Sequence, residues 1–342
     1  MGKTYVFLPP LRRPTGGLAV LHQMAAALAA SGREVVLAPR EAGHWQPAET
    51  TPLPVAGWAS LDLRPDDVWL VPEGWVNALA PGLNAGARCV VYVQNWAYLF
   101  SAMPEGVTWD KLPVSFVAVS DPVAWYIRRA TGHEAPVLRP GIDRNLFRPP
   151  EAKPAIGPDG PVRIAWMPRK NKAQGQQVRA MLDARLGRDN SAPDVQWLAL
   201  EGLDQQGVAE AMRSCHVFLA TGFPEGCPLP PLEAMACGCL PVGCGGLGGW
   251  DYMRQAAAFD GAYEPWWPLR ETPFSGNGLW TADADVAAMA NGLELAAQWV
   301  IQGHQVLTEA LAQGQATADA YALGDLETRV VAVWDSLETN NQ

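Results

Sequence analysis

Two glutamates eight positions apart, Glu225 and Glu233, flank a proline-rich turn in the stretch Thr221-Gly-Phe-Pro-Glu-Gly-Cys-Pro-Leu-Pro-Pro-Leu-Glu-Ala-Met-Ala-Cys-Gly-Cys-Leu-Pro-Val242. Glu225 falls in a loop after the apolar run 217–220, and Glu233 near the start of the helix expected over 229–236. A helix start carries N–H groups without intrahelical acceptors and a partial positive charge, which suits a diphosphate. A carboxylate there can accept two hydrogen bonds from a vicinal diol such as a ribose. Pro230 and Pro231 fit the first turn, where no intrahelical N–H is needed. Pro228 has no N–H to give, so phosphate contacts would fall to neighbours such as Cys227 and Leu229. The competing reading is an exposed turn with a Glu placed for the helix dipole, worth only ~0.3–1 kcal/mol. A second cluster, Arg169-Lys170-Asn171-Lys172, follows the apolar run 162–167. Cations at that point would stabilise negative charge developing on a leaving group. Arg169 is favoured because its planar fork matches phosphate, with Lys172 next and Lys170 after it. A solvated basic turn is the alternative.

The elements that must hold these residues form two series of alternating strands and helices. In the first, strand-like runs at 4–8, 34–38, 67–71, 88–93 and 114–119 alternate with a turn at 9–17, helical spacing of Leu18, Leu21, Ala25 and Leu28, and a helix at 122–130. A Pro-rich stretch, 148–161, reads as a linker of restricted φ. The second series runs through strands at 162–167, 195–199, 217–220 and 240–242, with helices at 174–186, 206–214 and 229–236. Residues 284–311 and 323–337 also read as helical. Such a pattern predicts two doubly wound α/β domains, which bind ligands at the carboxyl ends of their parallel strands.

The segment Glu225 to Gly238 closely resembles the Glu-x7-Glu donor site of the retaining glycosyltransferases of family 4. The resemblance implies the GT-B fold, in which two Rossmann-like domains face a cleft holding the active site. It implies domains over residues 1–145, joined by a C-terminal helix at 320–342, on the acceptor side, and over 146–319 on the nucleotide-sugar donor side. Glu233 would hold the ribose and Glu225 would touch the transferred sugar, with Thr221, Gly226, Cys227 and Leu229 around the donor. Arg169 and a lysine, Lys170 or Lys172, would sit on the leaving diphosphate. The sequence Pro14-Thr-Gly-Gly-Leu-Ala-Val-Leu-His22 is similar to the family's Gly-Gly loop, so Gly16 and Gly17 would let backbone approach the donor phosphates. Val137 to Pro149 looks like its interdomain segment, and Gly276-Asn-Gly-Leu-Trp-Thr-Ala-Asp-Ala-Asp285 resembles a turn leading to an acidic helix start. Two stretches depart from the pattern. Gln94-Asn95-Trp96 stands where many relatives place a histidine, and Gly245-Gly-Leu-Gly-Gly-Trp-Asp251 lacks a glutamate common past the second Gly-Gly. Retaining chemistry tolerates the first, because the donor phosphate can take the acceptor proton. Gln94 and Asn95 then belong to the acceptor side, with Glu73 either lining the same cleft or lying on the surface.

Length and composition narrow the class. The chain has 342 residues, 49% hydrophobic and 18% charged, enough for two cores of roughly 150 residues each. Apolar runs are strand-sized, no secretory leader is readable, and a cytoplasmic protein is expected. The net charge of −10 argues against nucleic acid. Residues 1–150 hold 13 Lys and Arg against 12 Asp and Glu, leaving 12 against 23 beyond them. The N-terminal half could therefore touch an anionic membrane peripherally, although the uneven charge equally serves solubility. Cys89, Cys215, Cys227, Cys237, Cys239 and Cys244 are expected to be free thiols, since Cys237-Gly-Cys239 lacks the spacing of a zinc site. His22 and His216 have no partner at ligand spacing, and the 15 tryptophans serve sugar stacking or packing equally well. No metal or cofactor is expected beyond the nucleotide-sugar substrate and a glycan or lipid-linked acceptor. The competing functions are an epimerase or phosphorylase on the same fold and a non-catalytic nucleotide- or glycan-binding protein. A nicotinamide dehydrogenase fits poorly, for want of a GxGxxG after the first strand.

Overall fold

The computed structural model describes residues 2–11, 15–41, 43, 52–157, 160–188 and 193–339. Residues 12–14 of the expected turn, 158–159 of the expected linker and 340–342 of the expected last helix lie outside them. The first series consists of β1 (Thr4–Leu8), α1 (Gly16–Ala30), β2 (Val35–Pro39), β3 (Val68–Pro72), α2 (Ala80–Ala85), β4 (Arg88–Val93), β5 (Val114–Ala118) and α3 (Asp121–Thr131). The second consists of β6 (Val162–Trp166), α4 (Lys172–Leu186), β7 (Val195–Ala199), α5 (Gln205–Arg213), β8 (Val217–Ala220), α6 (Leu229–Ala236), β9 (Leu240–Cys244), β10 (Leu279–Thr281), α7 (Val286–Gln302) and α8 (Gln305–Ala320), after which α9 (Leu326–Thr339) follows. Contacts divide the chain into unit 1, Met1–Pro140 with Gly324–Gln342, and unit 2, Gly141–Leu323.

Each unit is built on a five-stranded parallel sheet, in the order β2-β1-β3-β4-β5 in unit 1 and β10-β9-β8-β6-β7 in unit 2. Counted from its own first strand, the second order is the first one repeated. Both are Rossmann-like doubly wound sheets whose strand order reverses between the first and third strands. Helices on both faces explain why β1, β3 and β8 are buried at every residue and read as unbroken apolar runs. In unit 2 the two faces form separate cores. Phe218 and Ala220 of β8 join Leu232, Met235 and Met212 on one side, and Val217 and Leu219 join Val178, Met289 and Leu293 on the other, the period-two alternation of a strand.

Unit 1 is completed by α9, which packs on α1. Trp334 is buried there, its Nε1 donating to Thr4 Oγ1 at 3.2 Å, and Arg33 pairs with Asp335 at 2.6 Å. Among the described residues no helix is long and apolar enough to cross a membrane.

Three features differ from the sequence reading. The helix expected over 284–311 is two helices, because Gly303 takes a left-handed φ of 59° that ends α7, and His304 caps α8 by accepting from the Val306 N–H at 3.2 Å. Leu279–Thr281, expected within a turn, is β10, paired with β9. The six-residue α2 has no counterpart in the expected elements.

Candidate functional site

In unit 2 the strand order reverses between β6 and β8, and the loops leaving their carboxyl ends carry the basic turn and Glu225. The Glu225 loop is built against the Gly-rich stretch 245–249. Glu225 donates its N–H to Gly246 O at 3.0 Å, and Gly248 N–H donates to Glu225 O at 3.0 Å. A Cβ on Gly248 would stand 1.8 Å from Gly226 O, so only glycine allows this approach. Gly246, at φ 58°, donates in turn to Asp283 Oδ1 at 2.9 Å. The stretch 245–251 thus acts as the bed of the Glu225 loop, a role its sequence did not disclose.

The start of α6 is poorer in donors than a typical helix start. Pro228 caps it and Pro230 and Pro231 occupy its second and third positions, so Leu229 alone of the first three helical residues carries an N–H. The hydroxyl of buried Tyr252 donates to Pro228 O at 2.6 Å and fixes the cap. One turn further, Glu233 is half-buried, and burial pushes its carboxyl up to about 7 against the opposing pull of Arg169 and Lys170.

The basic turn closes on itself through Lys170 N–H to Met167 O at 2.9 Å, and Thr221 Oγ1 donates to Lys170 O at 2.5 Å, joining the two loops. The Lys170 ammonium forms an ion pair with Glu225 Oε1. Arg169 is exposed, with Nη2 3.8 Å from Met167 Sδ. Asn171 sits at φ 77°, and Lys172, the first residue of α4, is exposed. Arg169, Lys170, Thr221, Glu225 and Glu233 are therefore brought together, and of the two lysines it is Lys170 that meets a glutamate. Lys170, Thr221, Gly222, Glu225, Pro228 and Pro231 are among the residues lining a pocket at this point.

In unit 1 the order reverses between β1 and β3, the strands that precede Gly16-Gly17 and Glu73. Thr15 caps α1, accepting from Leu18 N–H at 3.2 Å, which leaves Gly16 exposed and Gly17 half-buried. A Cβ on Gly17 would lie 2.9 Å from Gln94 Oε1, so the Gln94 amide rests against the start of α1. Glu73 is not a surface residue. It is buried, its Oε2 accepting from Gln94 N–H and its Oε1 from Asn95 N–H, both at 2.8 Å, and burial pushes its carboxyl up to about 7 against those hydrogen bonds. Asn95 Oδ1 accepts from Ala97 N–H at 3.1 Å. Glu73 thus sets the shape of the loop after β4 through its backbone.

All six cysteines are free thiols, five of them buried, and among the described residues no group of three or more His, Cys, Asp or Glu could hold a metal ion. Cys237 and Cys239 lie under Lys153, whose ammonium reaches Cys237 O at 2.9 Å and Cys239 Sγ at 3.6 Å. His216 is a buried structural residue, Nδ1 accepting from Arg163 N–H at 3.0 Å and Nε2 lying 3.1 Å from Pro154 O.

No family model matches the chain, and no curated protein matches its sequence. Solved structures match its fold. Sucrose-phosphate synthase from Thermosynechococcus elongatus superposes with a TM-score of 0.66 at 14% identity, covering 100% of both chains. A glycosyltransferase from Rickettsia africae gives 0.66 at 12%, covering 99% of this chain and 100% of its own. The catalytic domain of starch synthase IV from Arabidopsis thaliana, bound to ADP and acarbose, gives 0.56 at 12%, covering 97% and 100%. With the two parallel-sheet units, these likenesses show a two-domain, Rossmann-like GT-B fold.

Proposed function

We propose that the protein is a retaining glycosyltransferase. It moves a hexosyl or deoxyhexosyl group from a nucleoside diphosphate donor to a glycan or lipid-linked acceptor, in the synthesis of a cell-surface polysaccharide or glycoconjugate. The observation that carries this reading is the meeting of Glu225, Glu233, Arg169 and Lys170 where the unit 2 strand order reverses. The structural neighbours support the same chemistry: the starch synthase was solved with ADP, and another similar structure is a lipopolysaccharide outer core galactosyltransferase.

In the proposed reaction Glu233 accepts the ribose hydroxyls and Glu225 those of the sugar. Arg169, Lys170 and the N–H groups of Cys227 and Leu229 take the diphosphate. As the bond from the anomeric carbon to the phosphate oxygen breaks, its electron pair goes to that oxygen, where the fixed cations stabilise it. The acceptor oxygen bonds to the same face of the carbon and gives its proton to the departing phosphate, so no histidine is needed at Gln94. Gly16, Gly17, Gln94 and Asn95 belong to the unit 1 surface that meets donor phosphates and acceptor, and Glu73 holds the last two.

The two glutamates separate experimentally. Glu233→Ala should cost ~1.5–3 kcal/mol in the binding of bare nucleoside diphosphate, a roughly 10- to 150-fold loss by calorimetry. Glu225→Ala should not weaken that binding, yet should lower single-turnover transfer at least ~100-fold. Normal turnover by both variants, or no nucleotide binding by the wild type, would overturn the reading.

A further inference from the structure

Resting on that reading, we propose that Glu225 competes with the diphosphate for Lys170, an internal ion exchange that sets sugar-bearing donor apart from bare nucleoside diphosphate. Lys170 and Glu225 are joined side chain to side chain, with side-chain exposures of 28% and 13%. A pair this enclosed is held more firmly than one on an open surface, and separating it strands a partly desolvated carboxylate. The backbones on both sides are fixed. Lys170 is bound through its N–H to Met167 and through its carbonyl to Thr221, and Glu225 is bound at both N–H and carbonyl to the glycine bed. Exchange is therefore a matter of side-chain rotation.

Lys170 stands at the electrostatic centre of the site, because its charge acts on Glu233 as well as Glu225. A diphosphate carries more negative charge than a carboxylate and takes the ammonium. The displaced Glu225 then needs new donors, since a buried carboxylate without them is costly. A nucleotide sugar brings its own, the sugar hydroxyls. The bare nucleoside diphosphate, whose ribose hydroxyls go to Glu233, brings none to Glu225 and leaves it facing phosphate charge of its own sign. After transfer the re-forming ion pair drives product out.

The test is calorimetry with ADP, UDP and GDP, continued with the one the wild type binds best, and with inorganic pyrophosphate as a probe that lacks base and ribose. Glu225→Gln should bind bare nucleotide and pyrophosphate at least ~10-fold tighter than the wild type, the scale of removing one competing charge. Lys170→Met should bind both more weakly, and adding Glu225→Gln to it should give no gain, the mark of coupling in a double-mutant cycle. Glu225→Asp, too short to keep the pair, should move in the same direction as Glu225→Gln and guards against a folding defect in one variant. Unchanged binding by folded Glu225 variants, or equal gains with and without Lys170, would overturn the exchange while leaving the functional reading intact, whereas weaker binding would overturn the exchange and count against the role given to Glu225 as well. A wild type that binds no nucleotide at all overturns both.

Discussion

Glu233 and Glu73 are carboxyl groups that burial raises to about 7, one beside two cations and the other under two backbone N–H groups. A carboxyl whose folded pKa exceeds its unfolded value holds its proton more tightly when folded. Its contribution to stability is complete below the unfolded value of 4.5 and is lost as pH rises through about 7. His216, pushed down by burial, works in the opposite sense, so the informative quantity is the difference between wild type and variant. Denaturant unfolding from about pH 5 to pH 8 should show a shallower fall in stability, or a steeper rise, for Glu73→Gln and for Glu233→Gln; parallel curves would refute the shifts. If Glu233 holds the ribose as proposed, nucleotide affinity should rise over the same range in the wild type as its carboxyl ionises, and the rise should be smaller in Glu233→Gln. If Arg169 and Lys170 supply the positive field as proposed, transfer should persist in EDTA; loss restored by Mn²⁺ would count against that. The eight-residue spacing of the glutamates was legible because both lie in one continuous stretch. Which of the two lysines meets Glu225 was not. It depends on where the turn ends, and the left-handed Asn171 makes Lys172 the first residue of α4.

Elements with long apolar runs were legible to within a residue or two, since a strand buried on both faces leaves an unbroken signature, as β4 and β8 do. Three-residue β10 was too short for any periodicity to show. The break between α7 and α8 was marked only by one glycine, whose backbone conformation settles it. The glycine bed was the least legible element, because its purpose is defined by a segment twenty-two residues earlier, Gly226 against Gly248. It also gives a sharp test. Gly248→Ala places a methyl 1.8 Å from Gly226 O, a backbone atom that cannot swing aside. The loop must move, at a cost of about 1–3 kcal/mol in stability. Nucleoside diphosphate affinity should fall with it by about 10-fold or more, read by calorimetry on protein shown to be folded; a variant matching the wild type in both would mean the bed is not rigid.

At the scale of the molecule, each of two sheets of one strand order has its own reversal point, followed in each by candidate residues, and the last helix belongs to the unit that begins the chain. Trp334 carries much of that attachment, fully buried with its indole N–H on Thr4. Trp334→Ala should destabilise unit 1 by ~3–5 kcal/mol, measured by denaturant unfolding, and a loss under 1 kcal/mol would show α9 to be dispensable. The return of α9 has a further consequence. Unit 2 starts and finishes at one place, with Ile142 N–H donating to Tyr321 O at 2.8 Å and Leu323 N–H to Ile142 O at 3.0 Å. In the grammar of the gene, unit 2 is a parenthesis. The coding sequence for 141–323 forms one cassette whose ends already touch, so another domain with equally close ends should be accepted in the same gap, leaving the sentence on either side unbroken.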